Sequence, residues 1–308
     1  MRIILIGGSG FIGNNLSVQL LEQGYKVIVY DVRKTILPNS NKFKFIEGKI
    51  EETEKLFSII KEGDCVIHLA STSVPNNSNR NFYLDTYNNI LPMLDLLQIC
   101  IEKKVGKIIF PSSGGSVYGI PNYVPIDELH KTEPNSSYGI QKLAIENYMR
   151  LVNKLHNIQT ICLRISNPYG PGQRPFMGQG VIATFLASVL LEKPIEIWGD
   201  GSAVRDYIYI DDLCMAFKQA IEYVGDERIF NVGSGVGNSI EDILLIIEKV
   251  TNKTIIKLYR NESEVEVMRN ILDCNKALNE FAWKATINLE EGILKMLESW
   301  DEQKKQFI

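Results

Sequence analysis

Over the first half of the chain, short runs of aliphatic and β-branched residues alternate with stretches whose apolar positions recur every three or four residues. The apolar run Arg2–Ile6 predicts a strand, Ile12–Gln23 a helix and Lys26–Tyr30 a second strand. Further strands are predicted at Cys65–Leu69, Lys107–Pro111 and Gln159–Ile165, with helices near Glu51–Lys61, Leu84–Lys103 and Tyr138–Lys154. Strands this continuously apolar fit a parallel sheet covered on both faces, so the pattern predicts an α/β fold with a doubly wound parallel sheet. Beyond Asn167 the pattern loosens. A Gly/Pro-rich stretch, Pro168-Tyr169-Gly170-Pro171-Gly172-Gln173, precedes a helix around Gly180–Leu191. Strands near Glu196–Trp198 and Ile229–Val232 then mix with helices at Ile210–Val224, Ile240–Val250 and Leu289–Asp301, which reads as a smaller C-terminal α/β region.

A length of 308 residues allows one large α/β domain or two closely packed ones. With 33 basic and 37 acidic residues the net charge is −4, which offers no basic excess for a phosphate backbone and argues against a nucleic-acid partner. The longest apolar runs are broken by charge or glycine, too short to span a bilayer. The start of the chain runs directly into Ile3-Ile4-Leu5-Ile6 with no signal-peptide pattern. Five scattered cysteines, an odd number without CxxC spacing, fit reduced thiols and a cytoplasmic setting. With only three histidines, a histidine-based metal site is not expected.

The segment Gly7-Gly8-Ser9-Gly10-Phe11-Ile12-Gly13 contains GxxGxxG directly after a strand and opening a helix. Glycines let the backbone turn tightly and approach a pyrophosphate, whose charge a helix N-terminus favours. Asp31 closes the second strand at the expected remove. Its carboxylate can accept from both hydroxyls of an adenosine ribose and would repel a 2′-phosphate, which favours NAD over NADP, although Arg33 beside it could neutralise such a phosphate.

Tyr138-Gly139-Ile140-Gln141-Lys142 is YxxxK at the start of a helical pattern. Residues four apart share a helix face, so the ammonium sits beside the phenol. A phenol with a pKa of about 10 is a poor base at neutral pH, but a neighbouring cation stabilises its phenolate. Alone, this spacing is common by chance. It gains weight beside the dinucleotide motif and the upstream Ser112-Ser113-Gly114-Gly115-Ser116-Val117-Tyr118-Gly119.

Together with Asp64–Ala70 (DCVIHLA), Asn89, Arg164–Gly170 (RISNPYG) and Trp198–Leu213 (WGDGSAVRDYIYIDDL), these motifs resemble the NAD-dependent sugar-nucleotide epimerase/dehydratase family of extended short-chain dehydrogenases over nearly the whole chain. The resemblance implies a Rossmann domain over residues 1–166, with a returning segment near 206–235, and a mainly substrate-binding region over 167–308. It implies NAD held by Gly7, Gly10, Phe11, Ile12, Gly13, Asp31, Ile50, Leu69, Ala70, Asn89, Tyr138 and Lys142. Tyr138 would be the base, Lys142 its electrostatic partner, and a Ser/Thr hydroxyl would bond the sugar oxygen. Two departures stand out. The usual Ser/Thr position, counted from Val117-Tyr118-Gly119, is Gly114, which leaves Ser113 or Ser116 to supply the hydroxyl. Gly48 is followed by Lys49 where the family often has Asp, so Ile50 packing would replace an adenine contact.

On the substrate side the resemblance assigns Arg205 and Asn167 to a diphosphate and Asn270 to the position that gates the sugar's C2 substituent, with Arg260 and Arg269 as second arginines of poorer spacing. Gly115 and Ser116 stand where dehydratases carry an Asp-Glu pair, which disfavours water elimination. The expected activity is 4-epimerisation of a nucleoside-diphosphate hexose, UDP-glucose/UDP-galactose or their N-acetyl forms, through a 4-keto sugar. A 4-ketoreductase of a nucleotide-linked deoxysugar would use the same residues, and a non-catalytic dinucleotide-binding regulator is the rival of another class. The resemblance further implies a homodimer joined through the helices near Leu84–Lys103 and Tyr138–Lys154.

Overall fold

The computed structural model describes residues 1–73, 78–261 and 267–306. The first half runs β1 (Arg2–Ile6), α1 (Phe11–Glu22), β2 (Lys26–Asp31), β3 (Phe43–Glu47), α2 (Thr53–Ile59), β4 (Cys65–His68), α3 (Phe82–Glu102), β5 (Lys107–Ser113), α4 (Ser137–His156) and β6 (Gln159–Ile165). The second half runs β7 (Asn167–Tyr169), α5 (Val181–Leu190), β8 (Ile195–Trp198), β9 (Val204–Tyr209), α6 (Ile210–Glu222), β10 (Ile229–Val232), β11 (Gly237–Ser239), α7 (Ile240–Thr251), β12 (Lys257–Arg260), β13 (Arg269–Asn270), α8 (Asn275–Phe281) and α9 (Leu289–Gln306).

Seven strands pair in parallel in the order β10-β6-β5-β4-β1-β2-β3. Six of them give the 3-2-1-4-5-6 order of a Rossmann sheet, and β10 returns from late in the chain to lie beside β6. Alternation along β1 shows how the sheet is covered. Ile3 and Leu5 face a core built with Leu16 and Leu20 of α1 and Leu213 and Phe217 of α6. Ile4 and Ile6 face a second core with Leu56 of α2, Met93 and Leu96 of α3, and Ile145 and Met149 of α4. Both faces are buried, and for that reason the strand reads as continuously apolar.

The predicted strands and helices of the first half appear with ends shifted by a residue or two. The exception is β3, which the hydrophobic pattern did not mark. It is an edge strand in which only Phe43 is fully buried, so Phe43-Lys44-Phe45-Ile46-Glu47 carries charge inside the element. The second half forms smaller sheets. β9 pairs with β7, β11 and β13, and β8 pairs with β12. β8 and β10 lie where the pattern marked strands, whereas β7, β9, β11, β12 and β13 carry polar residues inside short runs and so offered no apolar run to mark.

Candidate functional site

The β1–α1 turn is built on close approach. Gly7 has φ +78°, and a Cβ there would fall 2.5 Å from the Ala70 backbone nitrogen; a Cβ on Gly13 would fall 2.4 Å from the Gly8 carbonyl oxygen. Side chains cannot enter at either place, so α1 and the end of β4 are drawn against β1. Gly10 caps α1 without a side-chain hydrogen bond, and no acidic residue stands in the first turn. A Cβ on Gly10 would meet only the Gly7 oxygen, at 3.7 Å, so the cradle in front of the helix N-terminus is open. Unpaired N–H groups of a first turn at Phe11, Ile12 and Gly13 suit an anion. The buried Ser9 hydroxyl has no partner. Asp31 Oδ2 accepts from the Ser9 N–H at 2.9 Å and Oδ1 from the Arg33 N–H at 2.9 Å, so the carboxylate is fixed beside the turn while each oxygen keeps a lone pair. The exposed Arg33 donates its backbone N–H to that carboxylate. An open, uncapped helix N-terminus beside a fixed carboxylate fits a dinucleotide.

Leu69 and Ala70 lie next to this turn, where the strand order reverses between β1 and β4. Ile50, after Gly48, is half-buried and packs on the α2/α3 side of the sheet. Asn89 of α3 is held from several sides. Its Oδ1 accepts from the Thr72 N–H at 3.0 Å, and its Nδ2 donates to the Asp85 backbone oxygen at 2.8 Å. Asp85 also accepts from Ser137 Oγ at 2.7 Å and from Gln141, which locks the start of α4 against α3. Sequence reasoning missed Asp85 and Gln141; a carboxylate among apolar helix positions was the available signal.

Tyr138 and Lys142 share one face of α4, whose N-cap Ser136 accepts from the Gly139 N–H at 3.2 Å. The Lys142 ammonium lies 5.4 Å from the Tyr138 ring centroid and 4.5 Å from that of Phe110, and donates to the Pro111 backbone oxygen at 2.8 Å. Burial pushes the Tyr138 phenol up to about 12, while a hydrogen bond with Ser113 pulls it down. Lys142 is not among the groups that lower it, and its ammonium is engaged with the Pro111 carbonyl. Burial pushes Lys142 down to about 8, opposed by the charge of Glu146. Ser113, at the end of β5, therefore meets Tyr138, whereas Ser116 is buried one turn further on with its N–H on the Ser113 oxygen. A Cβ on Gly114 would fall 2.6 Å from Leu272 Cδ1 and 3.1 Å from the Arg164 oxygen, so a hydroxyl-bearing side chain there requires the buried Leu272 to shift.

A small pocket joins these groups, lined by His68, Ala70, Ser73, Asn89, Tyr138 and Lys142 among others. His68 of β4 is buried, both ring nitrogens lack partners, and burial together with the Lys142 charge holds its pKa down to about 3. It stands in the motif DCVIHLA, yet its sequence context gave no hint of that isolation.

The remaining candidates lie on β7, β9 and β13. Asn167 Nδ2 donates to the Asp206 backbone oxygen at 2.9 Å. Arg205, half-buried on β9, pairs in register with Asn270 of β13. Asn270 is buried, donates Nδ2 to the Gly114 oxygen at 3.1 Å, and keeps an unpartnered Oδ1. Asp206 anchors this region. Its carboxylate accepts from the Ser234 hydroxyl at 2.8 Å and from the N–H groups of Ser234 (2.8 Å), Gly235 (3.1 Å) and Leu272 (3.3 Å). Sequence reading singled out Arg205 and passed over Asp206 beside it. Arg260 lies on β12, exposed and paired with Glu196 at 2.6 Å, and Arg269 is exposed on β13. Among the described residues no cluster of His, Cys, Asp or Glu could hold a metal ion, and no helix is long and apolar enough to cross a membrane.

Comparison with known proteins fits this geometry. The sequence profile of the NAD-dependent epimerase/dehydratase family matches residues 3–233. The chain belongs to that family. Within it, the chain is 36% identical to the dTDP-4-dehydro-6-deoxyglucose reductase of Escherichia coli, over 96% of each protein. A solved UDP-glucose 4-epimerase of Thermotoga maritima with UDP-glucose is 34% identical and superposes with a TM-score of 0.92, covering 99% of this chain and 100% of that one. The UDP-glucose 4-epimerase of Thermus thermophilus in complex with NAD is 28% identical with a TM-score of 0.89, covering 98% and 99%.

Proposed function

We propose that this family member is an NAD-dependent 4-epimerase of a nucleoside-diphosphate hexose, with UDP-glucose/UDP-galactose or their N-acetyl forms as substrates. The observation that carries the reading is the pocket that brings Tyr138 and Lys142 together with Ala70 and Asn89 beside the dinucleotide turn, with Ser113 drawing the Tyr138 phenol down. The pyrophosphate of NAD would lie on Gly7, Gly10, Phe11, Ile12 and Gly13, its adenosine ribose on Asp31, its adenine beside Ile50, Leu69 and Ala70, and its nicotinamide end beside Asn89, Tyr138 and Lys142. When bound, NAD supplies the acceptor and donor of hydride for the sugar's C4.

This chain's own residues handle the proton and the anchoring. Tyr138 takes the proton from the C4 hydroxyl and returns it after the 4-keto sugar has turned over. With its phenol near 12, Tyr138 needs a cation close by to do so at neutral pH, a role open to Lys142 once its ammonium turns from the Pro111 carbonyl to the phenolic oxygen. Ser113 bonds the same sugar oxygen and orients it. Arg205 grips the diphosphate through its planar donor fork, with Asn167 beside it, so the hexose can rotate without leaving. Asn270 flanks the C2 substituent with an amide, a small polar group that leaves room for an acetamide. The division between cofactor and substrate regions falls near residue 166, with β10 returning to the first; the last two positions of the second lie outside the described residues.

The E. coli relative favours a second reading, reduction of a 4-keto sugar nucleotide by the same three residues. Incubating the purified protein with UDP-, dTDP- and GDP-hexoses without added reductant, and following products by NMR, separates the two. Interconversion of C4 epimers supports epimerisation; stoichiometric consumption of NAD(P)H with a 4-keto sugar overturns it. A homodimer is also proposed, since Tyr87 and Leu91 of α3 and Tyr148, Leu151 and Leu155 of α4 are exposed apolar side chains on adjacent helices. Light scattering at twice the monomer mass would support it.

A further inference from the structure

A chain of buried polar groups that the reading above does not use runs beneath the catalytic group. Glu146 stands one helical turn after Lys142 on α4 and is 3% exposed. Its Oε1 accepts from Ser112 Oγ at 2.5 Å, and its two oxygens accept from Arg164 of β6, Nε to Oε1 at 3.1 Å and Nη2 to Oε2 at 2.7 Å. Arg164 Nη1 donates to the Tyr118 hydroxyl at 3.0 Å, and that hydroxyl donates to Asn231 Oδ1 at 2.7 Å. Asn231 Nδ2 then donates to the backbone oxygens of Ile126 (2.8 Å) and Asp273 (3.0 Å).

We propose that Glu146 is a positioning residue for the catalytic group, fixing Ser113 through its neighbour Ser112 and standing as a buried counter-charge one helical turn from Lys142. This rests on the roles given above to Tyr138, Lys142 and Ser113. Two lines of geometry converge on it. Ser112 and Ser113 are consecutive at the end of β5, so a carboxylate gripping the first sets the backbone from which the second reaches Tyr138. On the other side, Lys142 is surrounded by groups that cannot neutralise it. His68 on β4 is uncharged, Cys162 on β6 is held as a thiol by burial, Tyr138 is a neutral phenol, and Arg164 carries positive charge. Asp85 on α3 is taken up by Ser137 and Gln141, whereas Glu146, though shared with Ser112 and Arg164, follows Lys142 by one turn on the same helix. Glu146 supplies the negative field that opposes the desolvation of Lys142. A buried ion pair costs several kcal/mol of desolvation per ion, and apolar residues of the same volume often pack as well, so packing alone does not account for charge at this place.

The test reads Lys142 directly. In protein labelled with 13C at the lysine ε-carbons, with the Lys142 signal assigned by its loss in Lys142→Met, the titration midpoint is measured in the resting chain. Glu146→Gln is expected to lower that midpoint by about one unit or more. The same change should move the alkaline limb of kcat/KM to lower pH, with KM for the nucleotide sugar within about twofold. Glu146→Asp, which keeps the charge, should return most of the shift. Should Glu146→Gln fail to fold because Arg164 is left unpaired, the paired change Glu146→Gln with Arg164→Met is read for kcat, since the two lost charges offset each other at Lys142; kcat is expected to fall about tenfold or more with KM within about twofold. A Lys142 midpoint unmoved in folded Glu146→Gln, or kcat unchanged in the folded pair, overturns the proposal. Absence of turnover in the unaltered protein would fall on the epimerase reading, while the Lys142 titration still decides this one.

Discussion

The Lys142 ammonium donates to the backbone oxygen of Pro111 at 2.8 Å, which ties the helix carrying Tyr138 to the strand that ends in Ser113. The phenol, the hydroxyl and the cation are thereby held as one unit, and the Ser112–Glu146 hydrogen bond ties the same strand and helix one turn further on. Tyr138→Phe removes only the phenolic oxygen from it. Epimerisation is expected to fall about 10²–10⁴-fold, the usual contribution of a positioned acid–base group, while NAD binding followed by fluorescence titration stays within a few-fold of the unaltered chain. Unchanged turnover would take Tyr138 out of the mechanism.

Arg205→Lys keeps the charge and loses the fork. With planar two-point recognition of the diphosphate gone, KM for the nucleotide sugar should rise about tenfold or more with a much smaller change in kcat. Steady-state kinetics checks the split.

Gly114→Ala introduces a Cβ where Leu272 Cδ1 stands 2.6 Å away. Overpacking of this kind costs about 1–3 kcal/mol. The loss should show as a lower denaturation midpoint and should shrink in Gly114→Ala combined with Leu272→Ala, relative to Leu272→Ala alone. Additive effects of the two changes would place the strain elsewhere.

His68 makes the fold sensitive to acid. The unfolded chain protonates this imidazole near its ordinary 6.5, whereas the folded chain resists until about 3. The contribution of neutral His68 is therefore intact above pH 6.5 and is lost as pH falls from there toward 3. At pH 5 the loss amounts to about 2 kcal/mol relative to pH 7. His68→Leu should lose less stability than the unaltered chain over that interval in urea denaturation; parallel losses would show that other groups carry the acid sensitivity.

Much of the molecule follows from local sequence. The β1–α1 turn, the helix bearing Tyr138 and Lys142, and the central strands are set by glycine sterics, by four-residue helical spacing and by burial on both sheet faces, all of which act within about twenty residues. Other features required the chain to close on itself. Ser113, not Ser116, meets Tyr138 because Ser116 turns into the interior; Gly114 is glycine because Leu272 arrives from the C-terminal region; Lys142 aims at Pro111 because β5 passes beneath α4. Asp206 gathers donors from Ser234, Gly235 and Leu272, and Glu146 finds Arg164 across the sheet. These partners lie far apart in sequence. Hydrophobic periodicity records which face of an element is buried but not what it is buried against, and hydrogen bonds between distant segments exist only once the strands have taken their order.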